Sequence, residues 1–118
     1  MKVLIADDDL LARTILKDQL VANGCEVVEA ANGTEAVDAF DKEQPDAVFV
    51  DLLMPRMNGL DVIRAMRERQ PHLPAYLLTA LSHGTVKQFG EERHVATAVL
   101  EKPFQARQLE RILQGLRA

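Results

Sequence analysis

The feature that most constrains this sequence is an alternation of short apolar runs with longer segments of helical periodicity. Five runs are predicted to be strands because each is short, largely apolar and bounded by turn residues: residues 3–6, 25–30, 47–50, 75–79 and 96–100. When strands alternate with helices, consecutive strands run parallel and the connecting helices cover both faces of the sheet. The pattern therefore predicts an α/β fold with one five-stranded parallel sheet.

Short polar signals mark where the helices begin and end. Asp9 can cap a helix that begins at Leu10, and Asn32 with Glu35 resembles a capping box at the next helix. The predicted inward helix faces are largely apolar: Leu11, Ile15, Leu16 and Leu20; Ala36, Val37 and Phe40; Leu60, Ile63 and either Met66 or Arg67; Leu109, Ile112, Leu113 and Leu116. We expect the doubly wound, flavodoxin-like strand order 2-1-3-4-5, although alternation alone does not fix that order.

Length and composition narrow the classes of protein further. We expect residues 1–118 to form a single domain, in which 47% hydrophobic residues suffice for a substantial core. A net charge of −4 without a basic run argues against direct binding of nucleic acid by this domain. The single cysteine, Cys25, excludes a disulfide framework, and no apolar run approaches the roughly 20 residues of a membrane helix. A cytoplasmic location without membrane contact is the simplest expectation.

Polar residues stand at the carboxyl ends of four predicted strands. Asp7 and Asp8 follow strand one, Asp51 follows strand three, Thr79 ends strand four and Lys102 follows strand five. In the expected order strand one lies beside strand three, so three carboxylates meet in one crevice and repel one another. A hard divalent cation such as Mg²⁺ takes oxygen ligands, and a lysine ammonium supplies a compact positive charge; both relieve the repulsion.

Taken singly, each of these residues has a purely structural explanation. The acidic residues 7–9 fit a solvated helix N-terminus, Thr79 fits a strand, and Lys102 before Pro103 fits a surface turn. An aspartate such as Asp51 also ends many strands simply as a turn residue. The functional interpretation depends on all of them falling at one edge of the sheet, where open α/β sheets bind their ligands.

Four motifs in this order make the whole chain resemble a response-regulator receiver domain, the CheY-like domain of bacterial two-component signalling. They are Val-Leu-Ile-Ala-Asp-Asp-Asp at 3–9, Asp-Leu-Leu-Met-Pro-Arg-Met-Asn-Gly at 51–59, Leu-Leu-Thr-Ala at 77–80 and Glu-Lys-Pro-Phe at 101–104. The resemblance implies a phosphoacceptor of a His–Asp phosphorelay. Its partners would be a sensor histidine kinase or phosphotransfer protein and an unknown downstream protein.

The resemblance also implies roles for the acidic residues. Asp51 would accept a phosphoryl group from a phosphohistidine and form an acyl phosphate. Asp8, Asp51 and the backbone carbonyl of Leu53 would bind Mg²⁺ directly, with Asp7 assisting through water. The cation would neutralise charge on the transferring group.

Two further roles and two departures from the family pattern concern how the signal leaves the site. Lys102 would pair with a phosphoryl oxygen, and the Thr79 hydroxyl would hydrogen-bond the phosphoryl group and report its presence. Receivers usually carry Tyr or Phe three residues before this lysine, but here that residue is Val99. Two glycines also weaken the helix expected within residues 82–94. We therefore expect phosphorylation to act through residues 82–94 rather than through an aromatic ring.

The lifetime of the acyl phosphate depends on residues that can place a water molecule behind phosphorus. Two residues after Asp51 and two after Thr79 stand Leu53 and Leu81, neither of which can hydrogen-bond water. We predict slow autodephosphorylation. The domain would thus catalyse its own phosphorylation without being a conventional turnover enzyme.

Two other classes of function stay open. One is a receiver-like interaction module that works without phosphorylation, although such modules usually lack an acidic residue or the lysine, and neither is missing here. The other is a flavodoxin-like binder of a nucleotide or flavin. Against it, no Gly-rich loop follows strand one, where residues 7–9 would repel a phosphate. Phosphorylation of Asp51 in the presence of Mg²⁺ would distinguish a phosphoacceptor from both of these alternatives.

Overall fold

Strands and helices alternate as expected from the first strand to the fourth, and a helix follows the fifth strand. The computed structural model describes residues 1–80 and 95–117. The strands are β1 (Lys2–Ala6), β2 (Glu26–Ala30), β3 (Ala47–Asp51), β4 (Ala75–Thr79) and β5 (Ala98–Glu101). The helices of this part of the chain are α1 (Leu10–Ala22), α2 (Gly33–Glu43), α3 (Gly59–Arg69) and α4 (Ala106–Arg117).

The strands lie parallel in one sheet of order β2-β1-β3-β4-β5, which confirms the predicted fold class. β1 pairs with β3 so that Ala6 lies opposite Val50, and β3 pairs with β4 so that Asp51 lies opposite Leu78. The direction of winding reverses between β1 and β3, and the carboxyl ends of the strands form a crevice at such a reversal. Asp7 and Asp51 therefore leave the sheet side by side.

Side chains on the two faces of the sheet form two apolar clusters. On one face, alternate strand residues pack against α2 and α3, which contribute Phe40, Leu60, Ile63 and Met66. On the other face, the remaining strand residues pack against α1 and α4, which contribute Leu16, Leu20, Leu109 and Leu113. Successive strand side chains point to opposite faces, so strands covered on both faces are apolar throughout. Full burial of each large apolar side chain contributes about 1.5–3 kcal/mol.

The predicted inward face of α1 is wrong for two of its residues. Leu16 and Leu20 are buried, but Leu11 is 68% exposed and Ile15 is 52% exposed. These four residues spread over about half of the helix circumference, which is wider than the stripe that one sheet face can cover. α1 therefore presents apolar side chains to solvent, beginning with the exposed Leu10.

The helix boundaries follow the polar signals in the sequence. Asp9 caps α1 by accepting a hydrogen bond from the Leu11 N–H at 3.0 Å. Asn32 caps α2 by accepting from the Glu35 N–H at 2.9 Å, and the Glu35 carboxylate accepts from the Asn32 side chain. Gly24, after α1, has a φ of 82°, the left-handed conformation that favours glycine. No helix within residues 1–80 and 95–117 is long and apolar enough to cross a membrane.

β5 begins at Ala98, later than predicted. Thr97 precedes it and holds Ala75 from both sides: its N–H donates to the Ala75 carbonyl at 2.7 Å, and its hydroxyl accepts from the Ala75 N–H at 3.0 Å. Val99 lies in β5 and packs against the cluster formed with α2 and α3. The expected response of residues 82–94, and the expected role of Leu81, lie outside the described residues.

Candidate functional site

Buried polar side chains gather at the carboxyl edge of the sheet. Within residues 1–80 and 95–117, the buried polar or charged side chains are Asp7, Asp51 and Thr79, which are 3%, 9% and 1% exposed. Each stands at or just after the end of a strand: β1, β3 and β4 respectively. Burial of a polar group costs free energy unless the group is paired, so their concentration in one place points to a site.

Three carboxylates face one another at this edge. Asp7, Asp8 and Asp51 each offer an oxygen, and these oxygens all lie within 4.8 Å of one another. Asp8 is exposed, so water reaches the carboxylates from its side. Like charges at this separation repel, and a positive charge is needed to hold all three ionised.

Lys102 supplies a positive charge at this place. Its Nζ donates to Asp7 Oδ2 at 2.7 Å and lies 3.3 Å from Asp51 Oδ1. Burial lowers the pKa of Lys102, but the hydrogen bond to Asp7 and the charge of Asp51 outweigh it, so the pKa is raised overall. The ammonium therefore stays charged at neutral pH. Together, Asp7, Asp8, Asp51 and Lys102 make up what is termed here the charged cluster.

The backbone of β5 brings Lys102 to this position. The Lys102 N–H donates to the Thr79 carbonyl at 2.7 Å, which continues the pairing of β4 with β5 one residue past Glu101. The lysine thus stands at the same edge as Thr79, although the two residues belong to different strands. A link of this kind couples any movement of the end of β4 to the backbone that carries the ammonium.

The surroundings of Asp51 destabilise the ionised form of its carboxyl group. The pKa of Asp51 is raised to about 6, mainly by burial and further by the charges of Asp7 and Asp8, while Lys102 opposes the rise. A cation entering among the carboxylates would favour the ionised form, because it opposes both the burial and the repulsion.

Each polar group of Asp7 is held by a partner. Its N–H donates to the Ala30 carbonyl at 3.1 Å, which extends the pairing of β1 with β2. Its Oδ1 accepts from the Asp9 N–H at 2.9 Å, and its Oδ2 accepts from Lys102. Its carbonyl accepts from Arg13 Nη1 at 2.7 Å. With both carboxylate oxygens engaged, Asp7 has fewer lone pairs left for a metal.

The backbone after Asp51 turns back on the end of β3. The Gly59 N–H donates to the Leu52 carbonyl at 2.8 Å. A Cβ at Gly59 would collide with the Asp51 carbonyl, so a glycine is required where α3 begins. Within the turn, Arg56 has a φ of 75°, which is uncommon for a residue other than glycine. The Leu53 side chain is 59% exposed.

Some of the residues predicted for the site contact one another, and others only lie near its edge. Four of them meet, namely the members of the charged cluster. Thr79 lies buried at the end of β4, and Leu53 lies in the turn two residues beyond Asp51. Their roles in phosphoryl transfer and metal binding stay predictions.

Sequence reasoning missed one residue that contacts the site. Arg13 reaches the Asp7 carbonyl from the end of the first turn of α1. Its position in the sequence is that of an ordinary polar residue on an amphipathic helix. The contact depends on how α1 crosses the sheet, which no local pattern encodes.

The donor set suits a small divalent cation. Three carboxylates offer hard oxygen ligands, and the exposed side of Asp8 leaves room for the waters that Mg²⁺ keeps. In the described part of the chain no cysteine or histidine joins these carboxylates. The residues present fit Mg²⁺, the cation that the resemblance implies.

An apolar groove opens beside the charged cluster. It has a volume of about 380 Å³ and lies between α1 and the turn that joins β5 to α4. Its lining combines apolar side chains with two members of the cluster, and includes Ile15, Ala80, Pro103, Phe104, Asp7 and Lys102. The apolar groove and the charged cluster are therefore continuous.

Comparison of the sequence with known proteins finds a family and many relatives. The family model described as response regulator receiver domain matches residues 3–114. Response regulator MprA of Mycobacterium avium (strain 104) is 37% identical over 118 residues, which are 100% of this chain and 50% of MprA. MprA of Mycobacterium bovis (strain BCG / Pasteur 1173P2) is 36% identical over the same share of both chains. The chain spans about half the length of the curated relatives it matches.

Solved structures share the fold. The response regulator TrrA of Thermotoga maritima, in complex with Mg²⁺-BeF, has a TM-score of 0.88 and 30% identity, and covers 98% of this chain and 97% of its own. The chemotaxis protein CheY4 of Vibrio cholerae has a TM-score of 0.86 and 34% identity, with coverage of 98% and 97%. The ligands in the TrrA structure belong to TrrA.

Proposed function

The chain belongs to the receiver-domain family of response regulators, and on that premise we propose that Asp51 accepts a phosphoryl group from a phosphohistidine. The donor is a sensor histidine kinase or a phosphotransfer protein, and the acyl phosphate switches the interaction with a downstream protein. The observation that carries this proposal is a buried carboxylate, Asp51, held among two other carboxylates and an ammonium. A carboxylate can attack phosphorus, and fixed charges around it stabilise the transferring group.

The transfer exchanges one bond for another at phosphorus. An Asp51 oxygen bonds to phosphorus while the bond from phosphorus to the imidazole nitrogen of the donor breaks, and that nitrogen keeps the electron pair. Lys102 Nζ, 3.3 Å from Asp51 Oδ1, is close enough to pair with a phosphoryl oxygen that arrives beside the carboxylate. Lys102 remains protonated and acts as a fixed charge.

We assign the proposed metal ligands to Asp8, Asp51 and the backbone carbonyl of Leu53, with Asp7 assisting through water. When bound, Mg²⁺ supplies charge neutralisation for the transferring phosphoryl group. Asp8 is the exposed member and presents its carboxylate to solvent. Asp7 is anchored by the Asp9 N–H and by Lys102, so it offers an oriented carboxylate to a water on the metal.

Thr79 is proposed to sense the phosphoryl group through its hydroxyl. The residue is 1% exposed at the end of β4, and its carbonyl accepts from the Lys102 N–H. A shift of Thr79 toward a phosphoryl group would therefore act on both β4 and the start of the β5–α4 turn. The chain after Thr79 leads into residues 82–94, where we expect the response.

The apolar groove is proposed to receive the protein that donates the phosphoryl group. That protein must bring phosphorus within reach of Asp51, so its surface has to cover what borders the charged cluster. The groove shares Asp7 and Lys102 with the charged cluster. Ile15, which also lines the groove, is 52% exposed. An amphipathic helix next to the phosphohistidine suits such a groove, because its apolar face would exclude water around the transfer.

The unit of function is proposed to be one receiver domain over residues 1–118. Both apolar clusters draw on the strands of the one sheet, and between them they include residues of all four described helices, which supports a single folding unit. The family model covers nearly the same span, residues 3–114.

Incubation with acetyl phosphate and Mg²⁺, followed by intact mass measurement, tests the proposal. We expect one added phosphoryl group on the wild type, none with a chelator, and none on Asp51→Asn. Asp18→Asn is the matched control, because it removes one exposed carboxylate of α1 away from the charged cluster and should be phosphorylated like the wild type. Absence of the adduct on the wild type would favour an interaction module that works without phosphorylation.

A further inference from the structure

One guanidinium ties α1 to the strand end that carries Asp7. Arg13 Nη1 donates to the Asp7 carbonyl at 2.7 Å, and Arg13 Nε donates to Glu29 Oε1 at 3.1 Å. Glu29 lies in β2, so this side chain bridges α1, the end of β1 and β2. The Arg13 side chain is 14% exposed, so the bridge is largely shielded from water.

Glu29 is held from a second side by Lys17. Its Oε2 accepts from Lys17 Nζ at 3.1 Å. Burial raises the pKa of Glu29, but the hydrogen bonds from Lys17 and Arg13 outweigh it and lower the pKa overall, so the carboxylate stays charged. A planar guanidinium can serve a carbonyl and a carboxylate at once in a fixed geometry, which a flexible ammonium does less well.

We infer that Arg13 is a positioning residue for the proposed metal site. By fixing the Asp7 carbonyl, it holds the turn of residues 7–9, and with it the carboxylates of Asp7 and Asp8, in the arrangement that a cation needs. Arg13 bonds a backbone oxygen and leaves both Asp7 carboxylate oxygens to other partners, so it sets geometry without competing for ligands. The inference rests on the proposed function only in naming Mg²⁺ as the cation.

The expected size of the effect follows from how such residues act elsewhere. Groups that orient metal ligands without touching the metal change metal affinity by about 10–100-fold when they are removed. A second consequence appears without metal. The Asp9 N–H donates to Asp7 Oδ1 at 2.9 Å, so a loosened Asp7 should leave that amide less protected from exchange.

The test compares Arg13→Ala with Lys17→Ala. Each variant removes one of the two cations bound to Glu29, but only Arg13 contacts Asp7. Calorimetric titration with Mg²⁺ alone should show a Kd raised about 10-fold in Arg13→Ala. Lys17→Ala should keep the wild-type Kd, because an ion pair this exposed contributes little. Arg13→Lys keeps the charge and should recover part of the affinity.

In metal-free protein, amide hydrogen exchange measured at Asp9 should be faster in Arg13→Ala and unchanged in Lys17→Ala. Equal weakening of Mg²⁺ binding in both alanine variants would mean that Arg13 acts through the packing of α1 on β2, and would overturn the inference. A wild-type Kd with wild-type exchange at Asp9 would overturn it too.

If Arg13→Ala does not fold, the same two measurements are made on Arg13→Lys. A wild-type Kd together with wild-type exchange at Asp9 in that variant would reject the positioning role. If the wild type binds no Mg²⁺, the metal proposal fails, and exchange at Asp9 still decides positioning.

Discussion

The charged cluster and the apolar groove lie side by side but are built from opposite kinds of residue. The cluster gathers carboxylates around one ammonium, whereas apolar side chains of α1 and the β5–α4 turn dominate the groove. Asp7 and Lys102 belong to both. A charged site distinguishes ligands by charge, and an apolar surface distinguishes protein partners by shape, so the proposed function assigns chemistry to the cluster and recognition to the groove.

The helices α1 and α4 show why the groove forms where it does. Both cover the same face of the sheet. In the described residues α4 contributes none of the large exposed apolar side chains, whereas α1 contributes Leu10, Leu11, Ile15 and Val21. The large apolar residues of α4 fall in one narrow stripe and are buried or half-buried, whereas those of α1 spread over a wider arc. An exposed apolar surface that borders a reactive site is a strong candidate for partner binding.

Removal of the ammonium that both regions share should give the largest loss. Lys102→Ala should slow phosphorylation by acetyl phosphate and by a protein donor alike, by about 10²–10³-fold, because each transfer loses the same fixed charge. Initial rates of phosphoryl incorporation measure this. Lys42→Ala, at an exposed lysine of α2, is the control and should keep the wild-type rate. A loss confined to the protein donor would place Lys102 in recognition only.

A charge introduced into the groove should separate the two regions. Ile15→Asp should slow transfer from a phosphorylated donor protein by about 30-fold, the size of a lost interface hot spot, and leave the rate with acetyl phosphate unchanged. Val21→Asp is a matched control, because Val21 and Ile15 are both 52% exposed on α1 but only Ile15 lines the groove. Similar rates of transfer from the donor protein to the two variants would mean that the groove does not bind that protein.

The charge of Asp51 should destabilise the metal-free protein above pH 6. Because burial raises the pKa of Asp51 from 3.8 to about 6, the stabilising effect of its protonation is complete below the unfolded value and is lost as the pH rises through the folded one. Two pKa units correspond to about 3 kcal/mol, and screening by water and salt reduces the expectation to about 1–2 kcal/mol.

Urea unfolding in a chelator measures this difference. Asp51→Asn should be the more stable protein at pH 8, and its advantage should shrink as the pH falls through 6. Asp18→Asn should show no such trend, since Asp18 is exposed. Mg²⁺ should then stabilise the wild type and not Asp51→Asn, because only the wild type keeps the full set of ligands. An advantage for Asp51→Asn that is equal at pH 5 and pH 8 contradicts the account.

The smallest expected effect concerns the lifetime of the acyl phosphate. Leu53→Asn places a polar side chain two residues after Asp51, where it can orient a water, and should speed autodephosphorylation by about 3–10-fold. Decay of the phosphorylated mass after removal of the donor measures the rate. Leu10→Asn exchanges another exposed leucine and serves as the control. An unchanged decay rate would mean that water placement by Leu53 is not limiting.

The charged cluster was predictable because its signals are local. Asp7, Asp8 and Asp51 follow apolar runs directly, and a parallel sheet brings the ends of its strands to one edge whatever the loops do. Lys102 could be added from the resemblance together with its place after the fifth strand. The position of Thr79 at a strand end was predicted in the same way.

The groove and the Arg13 bridge could not be predicted, because both depend on how α1 lies against the sheet. Periodicity placed Leu11 and Ile15 inward, since a pattern of apolar spacing cannot tell which part of a wide stripe the sheet will cover. The Arg13 contact joins residues on a helix and at a strand end, and only the packed fold determines that distance. The proposed response of residues 82–94 lies outside the described residues and stays a prediction.

The central claim is that Asp51 is the acceptor, and chemical mapping of the acyl phosphate tests it most directly. The protein is phosphorylated with acetyl phosphate and Mg²⁺, treated with borohydride, which reduces an aspartyl phosphate to the alcohol, and digested for peptide mass analysis. The account predicts reduction at Asp51 alone, with none in unphosphorylated protein. Reduction at Asp7 or Asp8, or at no aspartate while the intact protein carries the phosphoryl group, would contradict it.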